Sequence, residues 1–195
     1  EVEEDQMGTY LFNSNDICLI DYLKEMQEAG IDSIKIEGRN KSVYYVAMVV
    51  RAYRKVLDAL EKGDKQKIKE EIARQKKELE KLSNRGYWTG FALENEPPHL
   101  FDKASIDAKE EFVGIGLFEE DDLDSAERQV FVHNRLDEGE KVEIVSPGKK
   151  IKAQIISIKT EKGEALQSAH GGQNRVFSIK FDRKIKGIFV LRKKI

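Results

Sequence analysis

Apolar positions along this chain follow two rhythms. In the first half they recur at helical spacing. Leu19, Ile20, Leu23 and Met26 follow the cap-type side chains of Asn13-Ser14-Asn15-Asp16 and stop at Gly30. A second stripe, Val46, Val49, Val50, Tyr53, Val56, Leu57 and Leu60, starts behind Ser42 and stops at Gly63. Residues 64–82 carry a thin seam of Ile68, Ile72, Leu79 and Leu82 in a densely charged stretch, which predicts an exposed helix with a self-neutralised face. Between the first two helices lies Ser33-Ile34-Lys35-Ile36-Glu37-Gly38-Arg39. Here Ile34 and Ile36 point one way and Lys35, Glu37 and Arg39 the other, which predicts a parallel strand. Thr9-Tyr10-Leu11-Phe12 is a second β-prone segment.

From Phe112 the period changes to two. Residues 112–118, 129–133, 141–145, 150–159, 175–181 and 187–192 read as six short strands divided by turns. Ser146-Pro147-Gly148 and His170-Gly171-Gly172-Gln173 are the strongest turn signals, the second inside a polar loop near residues 160–174. The fold class expected is therefore α/β plus all-β. The last β/α units of an incomplete TIM-like barrel, with an extra helix, occupy residues 1–95. A linker at 96–111 contains Pro97-Pro98, and a small six-stranded antiparallel β-barrel occupies 112–195. Two β/α units cannot cover both faces of their own strands, so further units before Glu1 are expected.

Composition narrows the function classes. The 195 residues are 39% apolar and 36% charged, with a net charge of −2. No apolar run is long enough to cross a bilayer, and the start lacks a signal-peptide pattern, so a cytoplasmic setting is expected. Residues 112–195 hold 16 Lys+Arg against 13 Asp+Glu, an excess that permits RNA without demanding it. Cys18 is the lone cysteine, which rules out an internal disulfide and a multi-cysteine metal site completed within this chain. It reads as a small packed thiol.

The candidate site sits at the end of the predicted strand, where α/β enzymes place their chemistry. Glu37 is the candidate general base or hydroxyl ligand, and Lys35 the charge that keeps it ionised. Arg39, beside the helix start capped by Ser42, suits a carboxylate or phosphate. Tyr45 and Asn13 complete the candidate substrate-binding set, with helix packing and capping as the competing explanations for each. The competing reading of Glu37 is an ion pair with Lys35 or Arg39. No His-Glu-x-x-His pair and no recognisable Ser/His/Asp context is present, and His99, His133 and His170 are scattered.

Residues 9–19, Ala29-Gly30-Ile31-Asp32-Ser33, Lys35-Ile36-Glu37-Gly38-Arg39, Lys41-Ser42, Tyr45-Val46-Ala47 and Ala52-Tyr53-Arg54 resemble peptidase family U32, the collagenase-like peptidases. Asn84-Arg85-Gly86-Tyr87 and Thr89-Gly90-Phe91 resemble the segment closing the family's barrel domain. The tail resembles its C-terminal barrel, similar to the second domain of elongation factor Tu. The resemblance implies a (β/α)-barrel half upstream, and a role in either proteolysis or hydroxylation of tRNA or ribosomal RNA, the tRNA enzymes drawing on prephenate. It also implies an iron-sulfur cluster in some relatives, on cysteines upstream of this chain. No cofactor is expected within the chain itself, and alone it is expected to be inactive. Two other readings stay open. In one, the small barrel is an RNA-binding module using Arg183, Lys184, Lys186, Arg192, Lys193 and Lys194; in the other, the chain is a purely structural piece.

Overall fold

The computed structural model describes residues 2–5, 8–11, 15–93, 105–117, 125–172 and 176–195. Contacts divide the chain into two units, Glu1–Lys109 and Glu110–Ile195.

In the first unit, β1 (Val2–Asp5) and β2 (Gly8–Leu11) form an antiparallel hairpin, with Val2 opposite Leu11. Phe12 lies outside the described residues. β3 (Asp16–Ile17) pairs in parallel with β4 (Tyr87–Trp88). A 3-10 turn at Ile20–Tyr22 leads into α1 (Leu23–Glu28). α2 (Val43–Lys62) and α3 (Lys65–Leu79) pack against each other, and a 3-10 turn at Gly90–Leu93 follows β4.

The helix limits follow from local chemistry. Ser42 Oγ accepts the Tyr45 N–H at 3.1 Å and starts α2. Gly63 ends it with φ 73°, its N–H donating to Leu60 O. Asp64 then accepts the N–H groups of Gln66 and Lys67 and opens α3 one residue later. The buried side of α2 is Tyr44, Met48, Val49, Ala52 and Val56, packed with Ile20, Leu23, Leu79 and Leu82. This face is rotated from the predicted stripe: Val50 is 47% exposed, while Met48 and Ala52 are buried.

The predicted strand at 33–39 is the main correction. Residues 31–38 carry no ladder pairing among the described residues, and β3 with β4 is the only parallel pair. The period-two alternation survives without the strand: Ile34 and Ile36 are half-buried, while Lys35, Glu37 and Arg39 are exposed. The physical reason is that a strand exists only through its neighbours, and no described segment is hydrogen-bonded alongside this one. Ile34 and Ile36 instead line a shallow apolar groove with Leu23, Met26, Tyr53 and Leu57. The TIM-like half-barrel is accordingly not formed among the described residues.

Residues 94–104, most of the predicted linker, lie outside the described set. Beyond them Ile106 exchanges two backbone hydrogen bonds with Asn84, of 3.2 and 2.6 Å, so this stretch belongs to the first unit.

The second unit contains β5 (Glu110–Gly116), β6 (Ser125–Val132), β7 (Leu136–Asp137), β8 (Lys141–Val145), β9 (Lys150–Lys159), β10 (Ala165–Leu166), β11 (Ser168–Ala169), β12 (Val176–Ile185) and β13 (Phe189–Lys194). The order β8-β9-β12-β6-β5-β13 returns to β8, so six antiparallel strands close into a ring with no open edge. β10 extends β9, and β7 pairs with β11 to one side. Inward positions are filled by Val113, Val130, Val132, Ile144, Ile155, Ile158, Ile179, Phe181, Phe189 and Leu191. Two arginines are buried in this unit, Arg128 on the inner side of its strand with Val130 and Arg192 on the outer side, opposite Glu143 and alternating with the core residue Leu191. Arg128 donates to the carbonyls of Ile185 (2.7 Å), Leu117 (3.0 Å) and Gly187 (3.1 Å), with its guanidinium 5.4 Å from the Phe189 ring centre. Arg192, fully buried, donates through Nε to Glu143 Oε2 at 2.7 Å.

A Cβ at Gly116 would stand 2.1 Å from two ring carbons of Phe189. Gly116→Ala is therefore expected to destabilise the barrel by about 1–3 kcal/mol through overpacking. Urea denaturation checks it; an unchanged midpoint would contradict the packing described.

Candidate functional site

The polar centre of the first unit is the Asp16 carboxylate. β3 places it, since Asp16 N–H donates to Gly86 O (3.0 Å) and Cys18 N–H to Trp88 O (2.8 Å) across the parallel bridge. Two cations distant in sequence converge on it. Lys41 Nζ lies 2.8 Å from Oδ2, and Arg85 meets Oδ1 through Nε (3.1 Å) and Nη2 (2.9 Å). The Arg85 N–H adds a longer contact of 3.3 Å to Oδ2, and Asn15 Nδ2 donates to Arg85 O at 2.9 Å. Asp16 is 7% exposed, while the Lys41 and Arg85 side chains keep 26% and 40%, so the carboxylate lies inside and the cations outside.

The turn before α2 delivers Lys41. Its N–H donates to Gly38 O (3.0 Å), and Glu37 Oε1 accepts the Arg39 N–H (2.8 Å). Gly38 is required by space, since a Cβ there would sit 2.4 Å from Val46 Cγ2. The Lys41 ammonium also lies 4.6 Å over the Tyr45 ring. Below it, Tyr53 Oη accepts the Leu19 N–H (3.0 Å) and stands 3.9 Å from Cys18 Sγ; Tyr87 Oη donates to Leu79 O (2.9 Å).

The electrostatics follow from this placement. Burial alone would raise the Asp16 pKa, but hydrogen bonds and charge from Lys41 and Arg85 outweigh it and hold the carboxyl below its ordinary value. Tyr45 is pushed up to about 12, chiefly by burial and then by the Asp16 charge, so it stays a neutral phenol at neutral pH. Burial raises Tyr53 and Tyr87 as well.

Against the sequence reading, Tyr45 lies within this cluster and Ser42 serves as the α2 cap. Lys35, Glu37 and Arg39 lie beside it on the exposed side of the extended segment, with no ion pair joining them among the described residues. Asn13 lies outside the described residues. Sequence reasoning missed Lys41 and Arg85 and took Asp16 for a cap. The available signal was weak: each cation follows a glycine or precedes one by a few residues, but nothing linear ties positions 16, 41 and 85 together.

The remaining candidates are elsewhere. His133 stacks between Phe112 and Phe131, with centroids at 4.6 and 4.9 Å, and burial lowers its pKa. His170 Nε2 lies 3.3 Å from Ser168 Oγ on an exposed loop, and His99 is outside the described residues. Of the basic tail proposed for RNA, Arg192 is buried, Lys193 pairs with Glu140 at 2.9 Å, and Arg183 pairs with Asp182 at 2.8 Å. Lys184, Lys186 and Lys194 are exposed. Among the described residues no group of three His, Cys, Asp or Glu is arranged to hold a metal, and no helix is long and apolar enough to cross a membrane.

The family model "Peptidase family U32" matches residues 1–101, and "Peptidase family U32 C-terminal domain" matches residues 108–192. A tRNA hydroxylation protein P from Haemophilus influenzae is 32% identical over 89% of the chain, which covers 37% of that protein. tRNA hydroxylation protein P1 from Bacillus subtilis is 33% identical over 98% of the chain and 44% of its own length. A collagenase from Porphyromonas gingivalis is 33% identical over 47% of the chain and 25% of its own length. The chain thus spans about two fifths of the length of the tRNA hydroxylation proteins that it matches throughout. A crystal structure of the C-terminal domain of a protein described as a U32 peptidase, from Geobacillus thermoleovorans, aligns with 43% of this chain and 99% of its own, at 24% identity and a TM-score of 0.36.

Replacing Asp16 by Ala removes the shared carboxylate and leaves two partly buried cations facing each other. A loss of about 1–3 kcal/mol in unfolding free energy is expected. Because the folded-state pKa of Asp16 is lowered, its contribution is present above the unfolded value near about 4 and disappears as pH falls through the folded one. Thermal melts from pH 7 to pH 2 should show the variant's deficit shrinking with acid; a deficit independent of pH would assign it to packing.

Proposed function

We propose a function from the fact that the chain belongs to peptidase family U32: it is the C-terminal portion of an RNA-modifying enzyme that hydroxylates tRNA. The observation that carries this reading is coverage. Two tRNA hydroxylation proteins, protein P of H. influenzae and protein P1 of B. subtilis, match through both units, over 89% and 98% of the chain. The collagenase matches over 47%, as much as the Helicobacter pylori tRNA hydroxylation protein P, so the preference for tRNA rests on the two relatives that span both units.

In this proposal the exposed side of residues 35–42 borders the substrate. Arg39 and the Ser42-capped start of α2 face the anionic part of the substrate, a phosphate of tRNA or a carboxylate of a prephenate-like acid. Glu37 acts as general base or hydroxyl ligand with Lys35 beside it, and Tyr45 supplies a neutral phenol. The unpaired segment 31–38 and the exposed Ile17, Ile31 and Val50 suit an upstream barrel half whose strands and helices would cover them. The substrate places the protein in the cytoplasm, and the isolated chain is expected to be inactive.

The residues in hand do not fit an iron-sulfur cluster. Cys18 is the lone cysteine, its sulfur lies 3.9 Å from Tyr53 Oη, and no second thiolate exists to share iron. Any cluster in the longer protein takes its cysteines from elsewhere.

Deleting the encoding gene should remove a hydroxylated nucleoside from bulk tRNA, read by mass spectrometry of digested nucleosides. Complementation with the parent gene should restore it, and Glu37→Gln should lower restoration by about 100-fold or more. Unaltered tRNA in the deletion strain would overturn the function, and full restoration by Glu37→Gln would reduce Glu37 to a turn residue that accepts the Arg39 N–H.

A further inference from the structure

We propose that the barrel wall made by β9, β12 and β6 is an RNA-binding face, on which lysines take phosphates and the Phe131–His133 ring pair takes a base. The choice of RNA as occupant rests on the tRNA reading above. The charge of the face does not.

Ring closure divides the charge of the barrel unevenly. β9, β12 and β6 are consecutive in the ring, as are β5, β13 and β8. Apart from the buried Arg128, the first three strands carry Lys150, Lys152, Lys159, Lys180, Arg183 and Lys184 against two carboxylates, Glu127 and Asp182. The other three carry four cations against three carboxylates, and they pair across strands: Arg192 bonds Glu143, and Lys193 stands opposite Glu111 in register. One wall is strongly positive and the other nearly balanced.

The two carboxylates of the positive wall do not cancel its six cations. Glu127 accepts Ser178 Oγ at 2.8 Å and Lys159 Nζ at 3.2 Å. Asp182 accepts Arg183 Nη2 at 2.8 Å and the Gln154 N–H at 3.0 Å. Each offsets one unit of charge, and Lys152, Lys180 and Lys184 are exposed on the same wall. Lysines presented in this way meet phosphates as point charges.

The aromatic pair separates RNA from other polyanions. On β6 the outward residues Glu127, Gln129 and Phe131 alternate with the inward Arg128 and Val130, and register sets Lys180 beside Glu127 and Val176 beside Phe131. Phe131 therefore shares the outer side with Lys180, four residues or about 13 Å further along the strand. The exposed His133 meets the Phe131 ring edge-on at 4.9 Å between centroids. Lysines at one end of a face and rings at the other suit a nucleotide chain, whose phosphates take charge and whose bases take a π surface. An acidic protein segment would use the lysines and leave the rings idle.

The test is binding of a fluorescein-labelled single-stranded RNA dodecanucleotide to the 195-residue chain, read by anisotropy. Affinity should fall about tenfold or more between about 50 and 200 mM salt, and salt-insensitive binding overturns the proposal. The triple variant Lys152→Gln, Lys180→Gln, Lys184→Gln should bind at least about tenfold more weakly at the lower salt. A control with the same charge change on the exposed α3 lysines, Lys65→Gln, Lys69→Gln, Lys77→Gln, should bind as the unaltered chain does. Equal weakening by both variants overturns the face in favour of net charge alone. Poly-glutamate of matching charge should compete poorly; competition as strong as unlabelled RNA assigns the face to an acidic protein and overturns the proposal. In the ¹⁵N-labelled unaltered chain, which needs no variant to fold, RNA should shift the amides of residues 152–159 and 176–184 saturably, and no shift there overturns it as well. Failure here is distinguishable from failure of the tRNA reading. A nucleoside lost in the deletion strain, with no RNA bound by this chain, removes the face alone; RNA bound on this face, with tRNA unaltered in that strain, removes the tRNA reading alone.

Discussion

The first unit depends on one carboxylate with two cationic partners. Asp16 lies on β3, Lys41 in the turn before α2, and Arg85 just ahead of β4, so a single buried charge joins segments 25 and 69 residues away from it. Hydrophobic packing of α2 on α3 holds the helices together but does not set the direction of the loops at their ends, because apolar contact is non-directional. The ion cluster does set it. Charge-assisted hydrogen bonds of 2.8–3.1 Å tolerate little displacement, and burial of Asp16 makes losing a partner costly.

That constraint also orients the candidate residues before α2. With Lys41 tied to Asp16, and Gly38 pressed against Val46, the residues between them are held at the surface of the unit. Lys35, Glu37 and Arg39 then alternate outward from a segment whose inward side, Ile34 and Ile36, rests on the α1–α2 groove. The charges predicted to converge in a barrel mouth are thus aligned along one face without enclosure. Their relation to the Asp16 cluster is adjacency, set by the turn at Gly38–Lys41.

The second unit answers a different problem. A small sheet has edges, and this one removes them by ring closure, β13 meeting β8 and β8 meeting β9. Bulges in β12 and β13 accommodate the curvature. Ring closure brings strand ends together, and Arg128 gathers the carbonyls of Leu117, Ile185 and Gly187 there. Burial and pairing explain why a count of basic residues overstates the surface charge available to RNA: Arg192 is buried against Glu143.

Local features of the chain determined a great deal. The six main strands of the barrel, α2 from Ser42 to Gly63, a charged helix after residue 64 and the resemblance to family U32 were all readable, because alternation, helical spacing and capping act over a few residues. Alternation at Ile34–Arg39 was read correctly as a two-faced segment and incorrectly as a strand. Facing is a property of the residues themselves, whereas a ladder requires another backbone alongside. Tertiary structure alone decided that Asp16 would meet Lys41 and Arg85, that Tyr87 and Trp88 would pair with β3, and that Arg128 and Arg192 would be buried. These are contacts between positions tens of residues apart. No short-range preference encodes them, and they exist only once the whole unit has closed around them.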